Sequence, residues 1–598
     1  MTNEHISDYN VDFEALDAQM SDLGINTLNE SSDVQVRTLK DQLTQPTEGD
    51  NEHLLKSILT LFDHEKQMVY PVGFNDDGSE MNLNDEEVKQ ISETLKKIAQ
   101  HESLKSICEL VHDSNDETVE GPVTAKIPEK SISKKKNDSK NNRILHYLFR
   151  RIPEKVEDVM EIRVAVIGNV DAGKSTVLGV LTRNVLDNGR GLARSNVFRH
   201  KHEIESGRTS SIGIEILGYD KTSSKIISND QGRVIPWSDI SSKSSKVIVF
   251  HDLAGHEKYL RTTVFGLTGG QPDAVMLVVG ANAGMIGMAK EHLGLSLALN
   301  VPVYIVVTKI DMCPPNVLES TLKQLMKLLK SSGCRKVPLQ IRNKRDVVSA
   351  AMHSSSGRTC PIFMVSNLSG EGLDLLRLYM NLLPPSKEYK RNTAGVMEIR
   401  ESYSVPFVGT VVSGVVWQGA MHTGDQFWLG PNEFGQYTTT QIKSIHYNRV
   451  SVPVSYAGQS ASFALKRVNR SQARKGLVLI EKTDNVMPPS YMAFEADILI
   501  LYHSTTISLK YQAVLHCRAV RQTAKVLLIK NKDTLRTGDR ATVVFKFLAR
   551  PEYLEVGSKI IFREGRTKGV GHITKLLTKE EELEATRLGE LERLKIDL

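Results

Sequence analysis

Between residues 157 and 385, short apolar runs alternate with stretches whose apolar positions recur at helical spacing. The runs at 163–167, 247–251, 274–279, 303–308 and 362–366 read as buried strands, and most are separated by helical patterns. Strand–helix alternation predicts a mostly parallel sheet covered on both faces, with ligands held beyond the C-terminal strand ends. After residue 385 the pattern shortens to period-two runs punctuated by glycine, as in "VGTVVSGVVWQGAMHTGDQFWLG" at 408–430. Two small antiparallel barrels are expected, at 393–485 and 490–578, followed by a charged, exposed helical tail at 579–598.

The N-terminal side is different. Residues 1–50 carry few periodic apolar positions and are expected to be disordered, while Val88, Ile91, Leu95 and Ile98 recur at helix spacing behind Asn84 or Asp85 as a cap. The region 1–120 is read as an acidic extension, partly helical and partly disordered. Residues 121–156 form a basic linker in which Lys134, Lys135 and Lys136 are a solvated face.

Composition narrows the class. The chain has 598 residues, 40% apolar and 25% charged, which suits a soluble multidomain protein. Its cysteines form no CxxC pair, which argues against a disulfide framework or structural zinc and favours the cytoplasm. No apolar run is long enough to span a membrane, so no membrane partner is expected. The net charge of +5 conceals a balance of −19 over residues 1–120, with 27 acidic and 8 basic side chains, leaving +24 for the rest. A basic body of that size is compatible with RNA.

Three segments carry candidate chemistry. In "GNVDAGKST", Gly168, Asn169, Val170, Asp171, Ala172, Gly173, Lys174, Ser175 and Thr176 follow a strand and open a helix. Such a loop turns backbone N–H groups toward a phosphate, with Lys174 reaching its terminal groups and the Ser175 hydroxyl available to Mg²⁺. In "VIVFHDLAGHEKYL", Asp252 ends a buried strand where it can hold a Mg²⁺-bound water. Gly255 leaves its N–H open to a γ-phosphate, and His256 stands where it can orient an attacking water. In "TKID", Asp311 can accept from guanine N1–H and its exocyclic amine together, a donor pair that adenine lacks. Lys309 can lie along the ring, and Ser366, Asn367 and Leu368 end the next strand beside the base. GTP or GDP with Mg²⁺ is therefore the expected ligand, and hydrolysis of GTP to GDP and phosphate the expected reaction.

Together with "FRHKHEIESGRTSSIG", "DLAGHEKYLRTTVFG", "TKIDMCP" and "FREGRTKGVGHITKLL", these segments resemble the translational GTPases of the elongation factor Tu and elongation factor 1-alpha class, above all the GTP-binding protein 1 family. The resemblance covers about 157–578. It implies an α/β P-loop GTPase domain followed by two antiparallel β-barrels, the second closing onto the GTP form. It implies that Thr209 joins Ser175 and Asp252 at Mg²⁺, and that Lys174, Thr209, Gly255 and His256 serve catalysis. It further implies a monomer working with ribosomes and tRNA or other RNA, in elongation-like, rescue or surveillance steps. The acidic extension is a candidate dock for a protein partner. The alternatives are a GTP-gated adaptor with little hydrolysis and a relative of the GTPase subunit of sulfate adenylyltransferase.

Four departures from the elongation factors bear on chemistry. Asn169 replaces a histidine and Ala254 a proline; Thr308 replaces the asparagine of NKxD, which puts a supporting hydrogen bond in doubt while leaving the Asp311 pairing. Arg208 replaces an apolar gate residue opposite Val170. Its expected place is in solvent or paired with Glu205, the alternative being an approach to the γ-phosphate as an internal arginine finger. The cation-dense stretch 190–208 is an RNA-facing candidate. His200 and His202 lack a third metal ligand, and residues 220–246 read as a hairpin or excursion of unassigned purpose.

Overall fold

The structure is a computed structural model, which describes residues 37–62, 66–115, 143–198, 200–226, 235–564 and 567–596. The predicted parallel sheet is present and larger than the five predicted runs. Its eight strands run, in spatial order, Val337–Gln340, Thr359–Met364, Val303–Thr308, Ala274–Gly280, Met160–Gly168, Lys246–Asp252, Gly213–Tyr219 and Lys225–Ile226. The first six are parallel, Gly213–Tyr219 runs antiparallel to them, and Lys225–Ile226 pairs antiparallel with Gly213–Tyr219. Strands Lys246–Asp252, Ala274–Gly280 and Val303–Thr308 are buried along their whole length, as the continuous apolar runs require. The segment 220–246 begins as a hairpin and ends in the helix Trp237–Lys243, with residues 227–234 outside the described part.

Both barrels close. In the first, Gln426–Gly430, Val478–Glu481, Val396–Val405, Gly409–Gln418, Ser460–Leu465 and Thr438–Tyr447 form a ring, sealed where Gln426–Gly430 meets Thr438–Tyr447. In the second, the ring is Ala493–Tyr502, Arg540–Phe547, Val520–Ile529, Gln512–Cys517, Lys559–Glu564 and Thr567–Leu576.

Three expectations are corrected. Residues 37–62, part of them expected to be disordered, hold the helices Leu39–Thr44 and Glu48–Phe62, which bury Leu43, Leu54, Ile58 and Phe62. The remainder of the stretch expected to be disordered, residues 1–36, lies outside the described residues. The segment 121–156 is not linker throughout: Leu145–Arg151 is the central strand of a three-stranded sheet, between Gln67–Val72 and Ser106–Asp113. Its alternate side chains bury two ways. Leu145, Tyr147 and Phe149 join the N-terminal core with Ile91 and Leu95, and Leu148 joins the core of the eight-stranded domain. Lys134, Lys135 and Lys136 lie outside the described residues. The third correction concerns the tail. Helix Lys579–Ile596 is not wholly exposed, because Ala585 packs with Leu527, Leu528 and Leu577, and Lys546 pairs with Glu582 at 2.6 Å. A side chain at Gly589 would stand 2.2 Å from the Leu527 carbonyl, so glycine permits the close approach.

The helix Asp85–Gln100 follows the predicted periodicity. Asn84 caps it by accepting from the Glu86 and Glu87 amides, and the Glu87 carboxylate accepts from the Asn84 amide in return. The N-terminal unit is then tied to the sheet through buried polar groups. Arg150, wholly buried, donates to Gln67 at 2.9 Å and to the Asn381 carbonyl at 2.8 Å, and Lys246 donates to the Asn381 and Leu383 carbonyls at 2.7 and 2.6 Å. Burial lowers the pKa of both cations, which are held by carbonyl oxygens.

The barrels dock by different chemistry. At the first, Gln459 donates to the Glu157 carbonyl at 2.6 Å, and Arg163 donates to the Gly458 carbonyl at 2.7 Å and the Tyr389 hydroxyl at 2.5 Å. The second barrel sends Ile561 into the core of the nucleotide-side sheet, and Glu291 pairs with Arg563 at 2.6 Å and Lys568 at 3.1 Å. It also packs strand Gln512–Cys517 against helix Leu260–Gly270, the helix that follows His256.

Candidate nucleotide site

All three candidate segments meet at the C-terminal ends of the parallel strands. Strand Met160–Gly168 delivers the loop 168–173, and helix Lys174–Arg183 starts where Gly173 adopts a φ of 87°. Gly168 is required for packing, since a Cβ there would stand 2.2 Å from the Val278 carbonyl. Lys174 is buried and donates to the Asn169 carbonyl at 2.8 Å. Burial lowers its pKa, and the nearby Asp252 opposes that shift.

Behind the loop, three oxygen-bearing side chains converge. Ser175 Oγ donates to Asp252 Oδ2 at 2.6 Å, Thr209 Oγ1 lies 2.9 Å from Ser175 Oγ, and Thr209 also reaches Asp252 Oδ2 at 3.4 Å. Asp252 Oδ1 is buried without a hydrogen-bond partner among the described residues. Burial raises the Asp252 pKa, while Lys174, Ser175 and Thr209 pull it back. Two hydroxyls and a carboxylate with an unused oxygen are a hard donor set, and they fit a small divalent cation such as Mg²⁺.

The segment 207–211 is held from below by Glu203. This buried carboxylate accepts from the Ser210 amide and hydroxyl, both at 2.8 Å, and from the Ser211 amide and hydroxyl at 3.2 and 3.1 Å. With four donors overriding burial, its pKa falls to about 2. A depressed carboxylate stabilises the fold above its unfolded pKa, and that stabilisation is lost as pH falls toward 2. Glu203→Gln is expected to speed hydrogen exchange at the Ser210 and Ser211 amides by about tenfold or more at neutral pH, read by mass spectrometry.

Gly255 lies against the loop so closely that a Cβ would sit 2.4 Å from Lys174 Nζ and 2.6 Å from the Gly168 carbonyl. His256 lines the same cleft, together with Val170, Asp171, Thr176, Thr209 and Lys309. Its Nδ1 accepts the Lys258 amide hydrogen at 3.1 Å. A backbone N–H can only donate, so the proton of the neutral ring is on Nε2. In this arrangement the histidine offers the cleft a donor rather than a base.

On the opposite side, Ser366 donates to Asp311 Oδ1 at 2.7 Å and accepts from the Leu368 and Ser369 amides at 3.2 and 3.1 Å. The loop after strand Thr359–Met364 thus fixes the carboxylate. Asn367 is buried, with its side-chain oxygen unpaired among the described residues. Lys309 adopts a left-handed φ of 62°, which turns the chain between Thr308 and Asp311. Thr308 supplies the link that its replacement of asparagine placed in doubt: its hydroxyl donates to the Ala172 carbonyl at 2.7 Å, joining the two loops. Thr308→Val is expected to leave that carbonyl unpaired and to cost about 1–3 kcal/mol of stability, measured by denaturant unfolding.

Arg208 reaches the cleft with its side chain exposed, and among the described residues it makes no ion pair with Glu205. A second cation missed in the sequence, Arg194, lines the cleft beside it, its guanidinium packed over Gly207. Only the general density of basic residues in 190–208 hinted at it. His200 and His202 stack at a ring distance of 5.3 Å, and His202 Nε2 lies 2.8 Å from Ser210 Oγ.

Residues 160–385 match the family model for the elongation factor Tu GTP binding domain. Over 551 residues the chain is 47% identical to GTP-binding protein 1 of Xenopus laevis, covering 92% of this chain and 80% of that one. The chain belongs to the GTP-binding protein 1 and 2 family. GTP-binding protein 2 of Homo sapiens is 43% identical over 546 residues, covering 89% of this chain and 85% of its own length. Translation elongation factor SelB from Methanococcus maripaludis, solved with the GTP analogue GppNHp, shares the fold at a TM-score of 0.50 and 19% identity, covering 71% of this chain and 81% of that one. This chain therefore carries a GTP-binding domain of the elongation factor Tu type ahead of two closed barrels. No helix among the described residues is long and apolar enough to cross a membrane.

Proposed function

We propose that this chain is a GTP-hydrolysing switch, working as a monomer in the cytoplasm with ribosomes and tRNA or other RNA, in elongation-like, rescue or surveillance steps. The observation that carries the reading is the convergence of Ser175, Thr209 and Asp252 within 2.6–3.4 Å, beside a loop on which Gly255 is packed. When bound there, Mg²⁺ supplies charge neutralisation for the β- and γ-phosphates. Lys174 turns from the Asn169 carbonyl to the phosphate oxygens. The backbone of 168–176 cradles them, and the Gly255 N–H meets the γ-phosphate. Through Nε2–H, His256 holds the oxygen of the attacking water or of the γ-phosphate, so its contribution is positioning and charge stabilisation. The base site is Asp311, propped by Ser366 and Leu368, with Lys309 along the ring and Asn367 beside it.

Hydrolysis removes what holds the Thr209 and Gly255 segments together. The Gly255 segment runs directly into helix Leu260–Gly270, on which the second barrel rests, so release of phosphate re-angles the barrel. The excess positive charge outside residues 1–120 supports an RNA partner, and the acidic N-terminal region supports a docked protein. Calorimetry with GTP and ATP, followed by single-turnover hydrolysis with and without ribosomes, tests the proposal. Preference for GTP and ribosome-stimulated turnover are expected, whereas equal uptake of ATP or indifference to ribosomes would overturn it.

A further inference from the structure

We infer that the cavity where the nucleotide domain, the segment 387–390 and both barrels meet is a binding site for a small organic anion with an apolar body. The cavity has a volume of about 460 Å³, within the range of small-molecule sites. The nucleotide domain contributes Leu267 and Val301, the connecting segment Lys387 and Tyr389, the first barrel Trp417, and the second barrel Arg518 and Lys559. Its wall is thus apolar and aromatic over most of its area, with cations set into it; of the two carboxylates that also line it, Glu555 is paired with Arg518 and Glu388 is exposed.

Those cations differ in how far their charge is already used. Arg518 is fully engaged: it donates to Glu398 at 3.2 Å and Glu555 at 2.6 Å and lies 3.8 Å over the Trp417 ring. Lys559 donates to the Leu299 carbonyl at 2.5 Å. Lys387 makes no hydrogen bond or ion pair among the described residues, nor does the side chain of Lys390, which is exposed at the edge of the cavity. The carboxylate that attracts Lys387, Asp273, already accepts from the Arg163 amide at 2.8 Å, and Arg163, Lys559 and Arg518 all repel Lys387. Burial and these neighbours bring its pKa down to about 8. An ammonium facing other cations across an open, mostly apolar space is stabilised by an anion entering that space. An apolar body on that anion takes up the wall of Leu267, Val301 and Trp417.

The position gives such a ligand a consequence. Its walls come from every folded unit after residue 157 and from the segment joining them, so it binds only while the barrels hold this docked arrangement. By mass action it favours that arrangement over any in which they separate.

The test uses the full chain with excess nucleotide present and 8-anilinonaphthalene-1-sulfonate as the probe, with uncharged N-phenyl-1-naphthylamine for comparison. One saturable site is expected for the sulfonate. Lys387→Gln should weaken it at least about tenfold, and Lys387→Arg should retain it. Val556 is exposed at the cavity rim, so Val556→Glu tests the same charge without touching the core and should also weaken the sulfonate. The uncharged probe should be indifferent to Lys387→Gln. Absence of a saturable site, or unchanged sulfonate affinity in either Lys387→Gln or Val556→Glu, overturns the inference.

Discussion

Replacing Asp311 with asparagine is expected to weaken GTP binding by about 10²–10⁴-fold, because two charge-assisted hydrogen bonds to the guanine edge are lost together. The amide faces N1–H with one oxygen and turns its NH₂ group toward the exocyclic amine, so two donors meet. Xanthine carries a carbonyl where guanine carries that amine, and the asparagine matches it with one acceptor and one donor. The variant should therefore gain affinity for XTP as it loses affinity for GTP. The loop itself should stay in place, because Ser366, which donates to Asp311 Oδ1 at 2.7 Å, finds an oxygen there in either residue. Calorimetry with both nucleotides measures the exchange. Undiminished GTP affinity would remove Asp311 from the base site.

The second large effect is expected at Gly255. A methyl group there would lie 2.6 Å from the Gly168 carbonyl and 2.9 Å from the Asn169 carbonyl carbon. The lysine tip nearby can move, but the loop backbone cannot give way without losing the cradle, so the turn before His256 must retreat. Gly255→Ala should leave GDP binding within a few-fold of the parent while slowing single-turnover GTP hydrolysis by about 10²-fold or more, the scale of losing one positioned donor in a phosphoryl-transfer site. The advantage of a non-hydrolysable triphosphate over GDP should shrink as well. Parent-like hydrolysis in the alanine variant would separate Gly255 from γ-phosphate sensing.

The five strand runs of the nucleotide domain were legible because each is predominantly apolar and four of them lead into residues with distinct chemistry. Val337–Gln340 escaped because it is four residues long, contains Pro338 and lies at the sheet edge with Val337 exposed. The N-terminal sheet escaped for another reason. Its central strand, Leu145–Arg151, pairs with partners as remote in sequence as Gln67–Val72, and nothing local in "LHYLFRR" announces them. The Thr308 hydrogen bond belongs to the same class, since its acceptor, Ala172, lies 136 positions away.

Local order carried the phosphate loop, the Asp252–His256 turn, the Asp311 motif and the two trailing barrels, because each rests on near-neighbour periodicity and on side-chain types set at fixed short spacings. Three-dimensional packing alone brought Arg194 to the cleft, seated a folded N-terminal unit on Arg150 and Lys246, and enclosed Lys387 among three domains. These features arise where segments far apart in the chain bury polar groups against one another. Which donor then meets which acceptor depends on how whole domains settle together, and short-range pattern carries no record of that.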